Sequence, residues 1–167
     1  SQNVAIGSRS LSSNTTANDN TAVGRDSLKA NTTGGDNVAV GKSALGFNTT
    51  GAGNVAVGVT SLDANTTGSS NTAVGKNSLS ANITGEYNTA VGTDALIVNT
   101  TSGNTAVGRQ SQRATTTGAS NTSIGKHSMY SNTTGASNVA VGDDALSGNT
   151  TASFNTAVGR LAMATNT

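Results

Sequence analysis

The chain has 167 residues, no Cys, Pro or Trp, 2% aromatic and 10% charged residues, and a formal net charge of +1. Without Cys there are no disulfides and no thiolate metal sites, and near-zero charge gives no general pull toward nucleic acid. No apolar run is long enough to cross a bilayer and no signal peptide is legible, so membrane insertion of this segment is not expected.

From the first residues onward, one five-residue unit recurs. It is Asn3-Val4-Ala5-Ile6-Gly7, then Asn20-Thr21-Ala22-Val23-Gly24, and it restarts at Asn37, Asn54, Asn71, Asn88, Asn104, Asn121, Asn138 and Asn155. The step is 17 residues except for one of 16 between Asn88 and Asn104. A fixed period this short predicts one coil of a solenoid per repeat, and an apolar position kept in phase through all ten argues for order despite the low complexity. The expected fold is an all-β parallel β-solenoid of ten coils. The array fills residues 1–167 as a single unit. It begins without Met and stops partway through a repeat, so it reads as a piece of a longer fibre.

Positions within a coil are counted from its first Asn. Positions 2 to 4 read as a strand, because Thr, Val and Ile favour a pleated backbone. Alternation puts positions 2 and 4 on one face and position 3 on the other. Gly at position 5 marks a corner, positions 8 to 10 read as a second strand with Leu inward, and the Asn-Thr-Thr-Gly run (Asn31 to Gly34) reads as the return turn. Stacking then predicts a core ladder of Val23, Val40, Val57 and Val74 facing Leu28, Leu45, Leu62 and Leu79. Two Asn columns, at positions 1 and 12, are expected to form hydrogen-bonded ladders at the corners. Two large side chains per coil are worth roughly 1.5–3 kcal/mol each, against about 1–2 kcal/mol of entropy per ordered residue, so one coil is marginal alone. The small residues Ala22, Ala39, Ala56, Ala73 and Ala90 at position 3 are therefore the expected contact with another chain.

The unit Asn3 to Gly7 with Ser10 three residues on resembles the head repeats of trimeric autotransporter adhesins. The longer coil with its Asn-Thr-Thr-Gly turn resembles repeats of bacterial and phage fibre proteins. This resemblance implies a left-handed β-roll, side-by-side association into a homotrimer, and an extracellular place on a bacterial cell surface or phage tail fibre.

Departures from the repeat come next. Coil six is one residue short in its turn, at Asn99 to Gly103, and coil seven carries Gln112 for the core Leu and Thr115 for the corner Asn. Arg25 and Lys42 belong to an interrupted basic column at position 6, diluted by Asp26, Asp94 and Asp144 next door. A solvated edge that resists aggregation is the main expectation there, with an anionic-glycan surface as the sharper alternative. Tyr87 and Phe154 share position 17 four coils apart, while Phe47 and Tyr130 fall at positions 11 and 10. Aromatics can stack on sugar rings, so Tyr87 and Phe154, with Arg25 and Lys42, are the candidate ligand surface, although the four aromatics form no evident cluster in the sequence.

His127 is the only His, which leaves no triad or conventional zinc site, and no cofactor is expected. Phosphate-loop and calcium-repeat patterns are missing. Asn-Thr-Thr turns match the glycosylation pattern, and turn chemistry accounts for them. The expected function is thus a non-enzymatic structural or adhesive segment that spaces or presents binding regions toward a target cell surface, with a cell-surface glycan or other receptor as partner. The alternative is an ice-binding or glycan-binding solenoid.

Overall fold

The computed structural model describes residues 2–165. It is a parallel β-solenoid, as the period predicts. Ten three-residue strands follow one another: β1 (Val4–Ile6), β2 (Thr21–Val23), β3 (Val38–Val40), β4 (Val55–Val57), β5 (Thr72–Val74), β6 (Thr89–Val91), β7 (Thr105–Val107), β8 (Thr122–Ile124), β9 (Val139–Val141) and β10 (Thr156–Val158). They form one sheet in sequence order, each pairing in parallel with the next. Register is one coil throughout, so Ala39 lies between Ala22 and Ala56 and Val40 between Val23 and Val57. The short step at coil six leaves this intact, with Thr89 opposite Thr105 and Val91 opposite Val107.

The expected second strand is absent among the described residues. Positions 7 and 9 instead adopt the left-handed conformation, as at Asp26 (φ 62°) and Leu28 (φ 46°), and position 17 does so at Asp36 (φ 59°). Such backbone costs about 1–3 kcal/mol per residue and persists where the surroundings over-determine it. Here the return is a set of hydrogen bonds between coils. Asp26 N donates to Ser8 O, Leu28 N to Ala44 O, and Asp36 N to Asn18 O. The same staples recur up the rod, as at Asn77 N to Val59 O, Leu79 N to Ala95 O and Tyr87 N to Ser69 O. The turns are thereby stacked as firmly as the strands.

The inner and outer faces of the strand are exchanged relative to expectation. Ala22, Ala39, Ala56, Ala73 and Ala90 are completely buried inside the coil, so they cannot serve as the contact with a neighbouring chain. Val23, Val40, Val57 and Val74 point outward; they are half-buried, or exposed in the case of Val40, and are not the core ladder. Leu28, Leu45, Leu62 and Leu79 are buried with no exposed surface, as expected. The physical reason is room. A coil this short encloses a narrow interior that Leu and two inward Asn side chains already occupy. Only Ala or Ser fits opposite them without overpacking.

The Asn columns form the ladders. At position 1 each side-chain oxygen accepts the backbone N–H of the Asn above, as Asn54 N to Asn37 Oδ1 at 2.9 Å, while its Nδ2 donates across the coil to the carbonyl of Gly68 at 2.9 Å. At position 12 the amides bond one another, Asn65 Nδ2 to Asn48 Oδ1 at 2.7 Å, and the turn, Asn65 Nδ2 to Gly68 O at 2.9 Å. Buried amides satisfied in this way keep the polar interior from being a penalty. The last member of that column, Asn166, lies outside the described residues. Gly at position 5 has both reasons to be Gly. Gly58 has φ 138°, and a Cβ there would meet Gly75 O at 2.6 Å.

Candidate functional site

Three surfaces follow from this architecture. The first is the outward face of the sheet. Position 2 presents Val or Thr and position 4 presents Val or Ile in every coil, with no charged residue in either rank. Ile6 is 60% and Val158 70% exposed at the two ends, while most of the middle is half-buried by neighbours in its own rank. At about 4.8 Å per coil this face is roughly 43 Å long.

The second surface is the edge at position 7, where left-handed backbone points side chains along the rod. From coil four to coil nine they form one continuous polar rank. Thr60 Oγ1 donates to Asn77 Oδ1 at 2.7 Å, and Asn77 Nδ2 to Asp94 Oδ1 at 2.9 Å. Gln110 Nε2 reaches Asp94 Oδ2 at 3.5 Å, and His127 Nε2 lies 3.0 Å from Gln110 Oε1. His127 Nδ1 is 3.5 Å from Asp144 Oδ1. At the other end Asp26 takes Arg9 at 2.7 Å and Arg25 at 3.0 Å. The Arg25 guanidinium holds the Asp26 carboxyl below its usual range and Arg9 adds to this, against the opposing pull of burial. Asp63, at position 10, is pushed the other way by burial, with the backbone N–H groups of Asp63 and Ala64 tempering the shift.

The third is a pair of grooves on this same edge. One of about 440 Å³ runs along coils seven to ten beside Tyr130, and a smaller one of about 180 Å³ lies beside Phe47. His127 meets the Tyr130 ring edge-on at a centroid distance of 5.2 Å, and the Arg113 guanidinium lies over that ring at 5.7 Å.

Coil seven breaks the interior. Gln112 is fully buried; its Nε2 donates to Thr105 O at 2.8 Å and Ser123 Oγ at 3.0 Å. Ser111 Oγ also bonds Ser123 Oγ. Gln112 Oε1 and Thr115 Oγ1 are buried without a hydrogen-bond partner. The apolar core divides there into two clusters, one ending at Ala106 and the other beginning at Met129. The short turn before it is repaired by one atom, since Thr101 O accepts from both Asn88 Nδ2 (2.7 Å) and Asn99 Nδ2 (2.8 Å) in place of the missing Gly carbonyl.

Of the residues expected to form a ligand surface, Tyr87 and Phe154 are 67% and 84% exposed but lie in one column roughly 19 Å apart. Arg25 is tied to Asp26, and Lys42 is exposed on the neighbouring column. The structure does not bring these four together. Sequence reading missed the grouping of Gln110, His127, Asp144 and Tyr130. The signal was available, since Gln110, His127 and Asp144 are one repeat apart and so must share a column. The Asn residues of the Asn-Thr-Thr turns and of Asn82-Ile83-Thr84 are buried at Asn31, Asn48, Asn65, Asn82 and Asn132, with Nδ2 hydrogen-bonded inward, so the atom that would carry a glycan is inside the coil. Among the described residues, no three His, Cys, Asp or Glu side chains gather as a metal site, and none belongs to a helix able to cross a membrane.

Fold and surface define a parallel β-solenoid repeat protein with one flat uncharged face and one polar, grooved edge. No family model matches the chain, and neither a curated protein nor a solved structure matches it.

Proposed function

We propose that this chain is a non-enzymatic rod segment of an extracellular homotrimeric fibre, of a bacterial surface or phage tail, which spaces or presents binding regions toward a target cell. The observation that carries this is the Thr/Val face: ten coils of β-branched residues in two ranks, uncharged from end to end. An outward Val/Ile rank unbroken through ten coils, beside an uncharged Thr/Val rank, marks an association site. A parallel copy held in register brings β-branched ranks of equal length and spacing against one another. Around a three-fold axis, the position 2 rank of one chain meets the position 4 rank of the next, a head-to-tail contact that closes on itself. Half of the roughly 1.5 kcal/mol available per Val gives about 7 kcal/mol over the ten Val and Ile of the position 4 rank. That lies within the roughly 4–15 kcal/mol cost of association, so the contact holds only when most coils engage together. The count of three rests on the resemblance to trimeric adhesin heads. Light scattering coupled to size exclusion tests the reading. The expected mass is about three times the 16.3 kDa chain, falling to the single-chain value in Val57→Lys with Val74→Lys. A monomer at every concentration overturns it.

A second reading of the same face is ice binding. The Thr of the turns is unsuited, because hydroxyls such as Thr32 Oγ1 donate to the next coil, to Thr49 O at 3.0 Å. The ordered ranks are instead Thr72, Thr89, Thr105 and Thr122 beside Val74, Val91, Val107 and Ile124. Thermal hysteresis lost in Thr89→Lys would establish it; no hysteresis discards it.

A further inference from the structure

We infer that the groove beside Tyr130 is a binding site for an uncharged pyranose sugar, which deepens the adhesive part of the proposed function by naming what the edge holds. The groove arises from a step in side-chain size along one column. Position 10 runs Arg113, Tyr130, Ser147, Ala164 up the rod, and position 11 offers Gly148 beside Ser147. Tyr130 therefore stands as a wall above a floor of small residues. Its ring is held on two sides. Arg113, one coil before, lies over one face at 5.7 Å, and His127 meets the edge at 5.2 Å. Ser147 lies one coil beyond, and Tyr130 and Ser147 both line the groove.

Across the groove stands the position-7 rank. Gln110 and His127 are joined at 3.0 Å, and Asp144 lies 3.5 Å from His127. These side chains are oriented before any ligand arrives, which lowers the cost of binding. An aromatic ring lining the groove suits the C–H face of a pyranose, and a carboxylate, an amide and serine hydroxyls at its rim suit the equatorial hydroxyls. Arg109 and Asp144 both line the groove and offset each other, so the pocket selects for neither an anion nor a cation. A volume of about 440 Å³ suits a mono- or disaccharide unit.

The smaller groove repeats the design independently. Phe47 stands beside Gly46, facing Asp26 of the position-7 column, with Lys29 one coil before. These are the two places where an aromatic enters positions 10 and 11, and both adjoin Gly on this edge, with an Asp across from it. Two sites roughly 29 Å apart on one rod would bind a polymeric glycan with avidity.

Titration of the whole chain, followed by NMR shifts, tests this with lactose, maltotriose and triacetylchitotriose as probes. Saturable shifts at Tyr130, Ser147 and Gly148 with at least one probe are expected. Tyr130→Ser should weaken that binding about tenfold, the order a lost aromatic contact carries. That variant reproduces Ser80 and Ser147 of the same column, so the coil tolerates it. Tyr87→Ala, on another column, should leave binding unchanged, and Asp144→Asn should weaken it. No saturable shift with any probe, or binding indifferent to Tyr130→Ser, overturns the assignment. The outcome is separate from self-association, which is read from mass alone.

Discussion

Coil five and coil seven carry the same backbone and different interiors. In coil five, Leu79 is buried between Leu62 and Leu96, and Asn82 continues the corner ladder through Asn65 Oδ1 at 3.1 Å. In coil seven, Gln112 and Thr115 occupy those places, and two buried oxygens lack a hydrogen-bond partner. Yet the staples are alike, with Leu79 N bonded to Ala95 O and Gln112 N to Ser128 O. The coil path is thus set by the backbone network and its left-handed positions, while the side chains inside set how tightly neighbouring coils are bound. The rod is two apolar stacks joined by a polar joint.

The sharpest way to break this picture is to disturb the path itself. Gly58→Ala places a Cβ 2.6 Å from Gly75 O at φ 138°, and should cost about 3 kcal/mol or more in urea unfolding. Gly35→Ala is the control. Its Cβ would lie 3.2 Å from Asn18 O and position 16 already carries Ala52 and Ala119, so its effect should stay within about 0.5 kcal/mol. Next come the interior contents. Leu79→Ala should cost about 2–5 kcal/mol by opening a cavity. Asn65→Ala strands Asn48 Oδ1, while Gly68 O keeps the bond from Asn54 Nδ2, and should cost about 1–3 kcal/mol.

At the joint the sign reverses. Gln112→Leu rejoins the two apolar clusters and removes a buried oxygen with no hydrogen bond, so it should stabilise the rod by about 1–2 kcal/mol. Destabilisation by that variant would mean the Gln112 network is worth more than a continuous Leu ladder. The smallest effect concerns Asp63, whose carboxyl is pushed above its ordinary 3.8 by burial. The folded chain holds that proton more tightly than the unfolded chain. Its stabilising effect is therefore present below the ordinary carboxylate pKa and lost as pH rises through the raised one. Asp63→Asn should raise the Tm at neutral pH, and the gain should vanish in acid.

Much of this was legible in the sequence. The period fixes the coil, and the Leu column and both Asn columns fall where it places them. The strand face was not legible. Alternation separates Ala56 from Val55 and Val57, but it does not say which side is inside. The larger residue is the natural choice for a core until the interior volume left by Leu and two Asn is known. The second strand failed for a different reason. Leu62 at φ 51° is a left-handed Leu, and no propensity predicts a buried Leu there; only the inter-coil bond of its N–H makes it favourable. The grooved edge was hidden because its residues carry no motif, although the period already sets Gln110, His127 and Asp144 in one column.

Adjacent single cysteines in β8 test the central claim most directly, in a chain that has no Cys of its own. Ser123 is fully buried and nearly isosteric with Cys, and Ile124 is 44% exposed on the opposite face. The expected result is that chains carrying Thr122→Cys and chains carrying Ile124→Cys, refolded together, form disulfide-linked pairs on mild oxidation, while Ser123→Cys resists labelling until the rod is unfolded. A Ser123→Cys thiol that labels in the native state would contradict the inward Ala column. Thr122→Cys and Ile124→Cys thiols that label freely without ever linking two chains would contradict the strand face as the contact between copies.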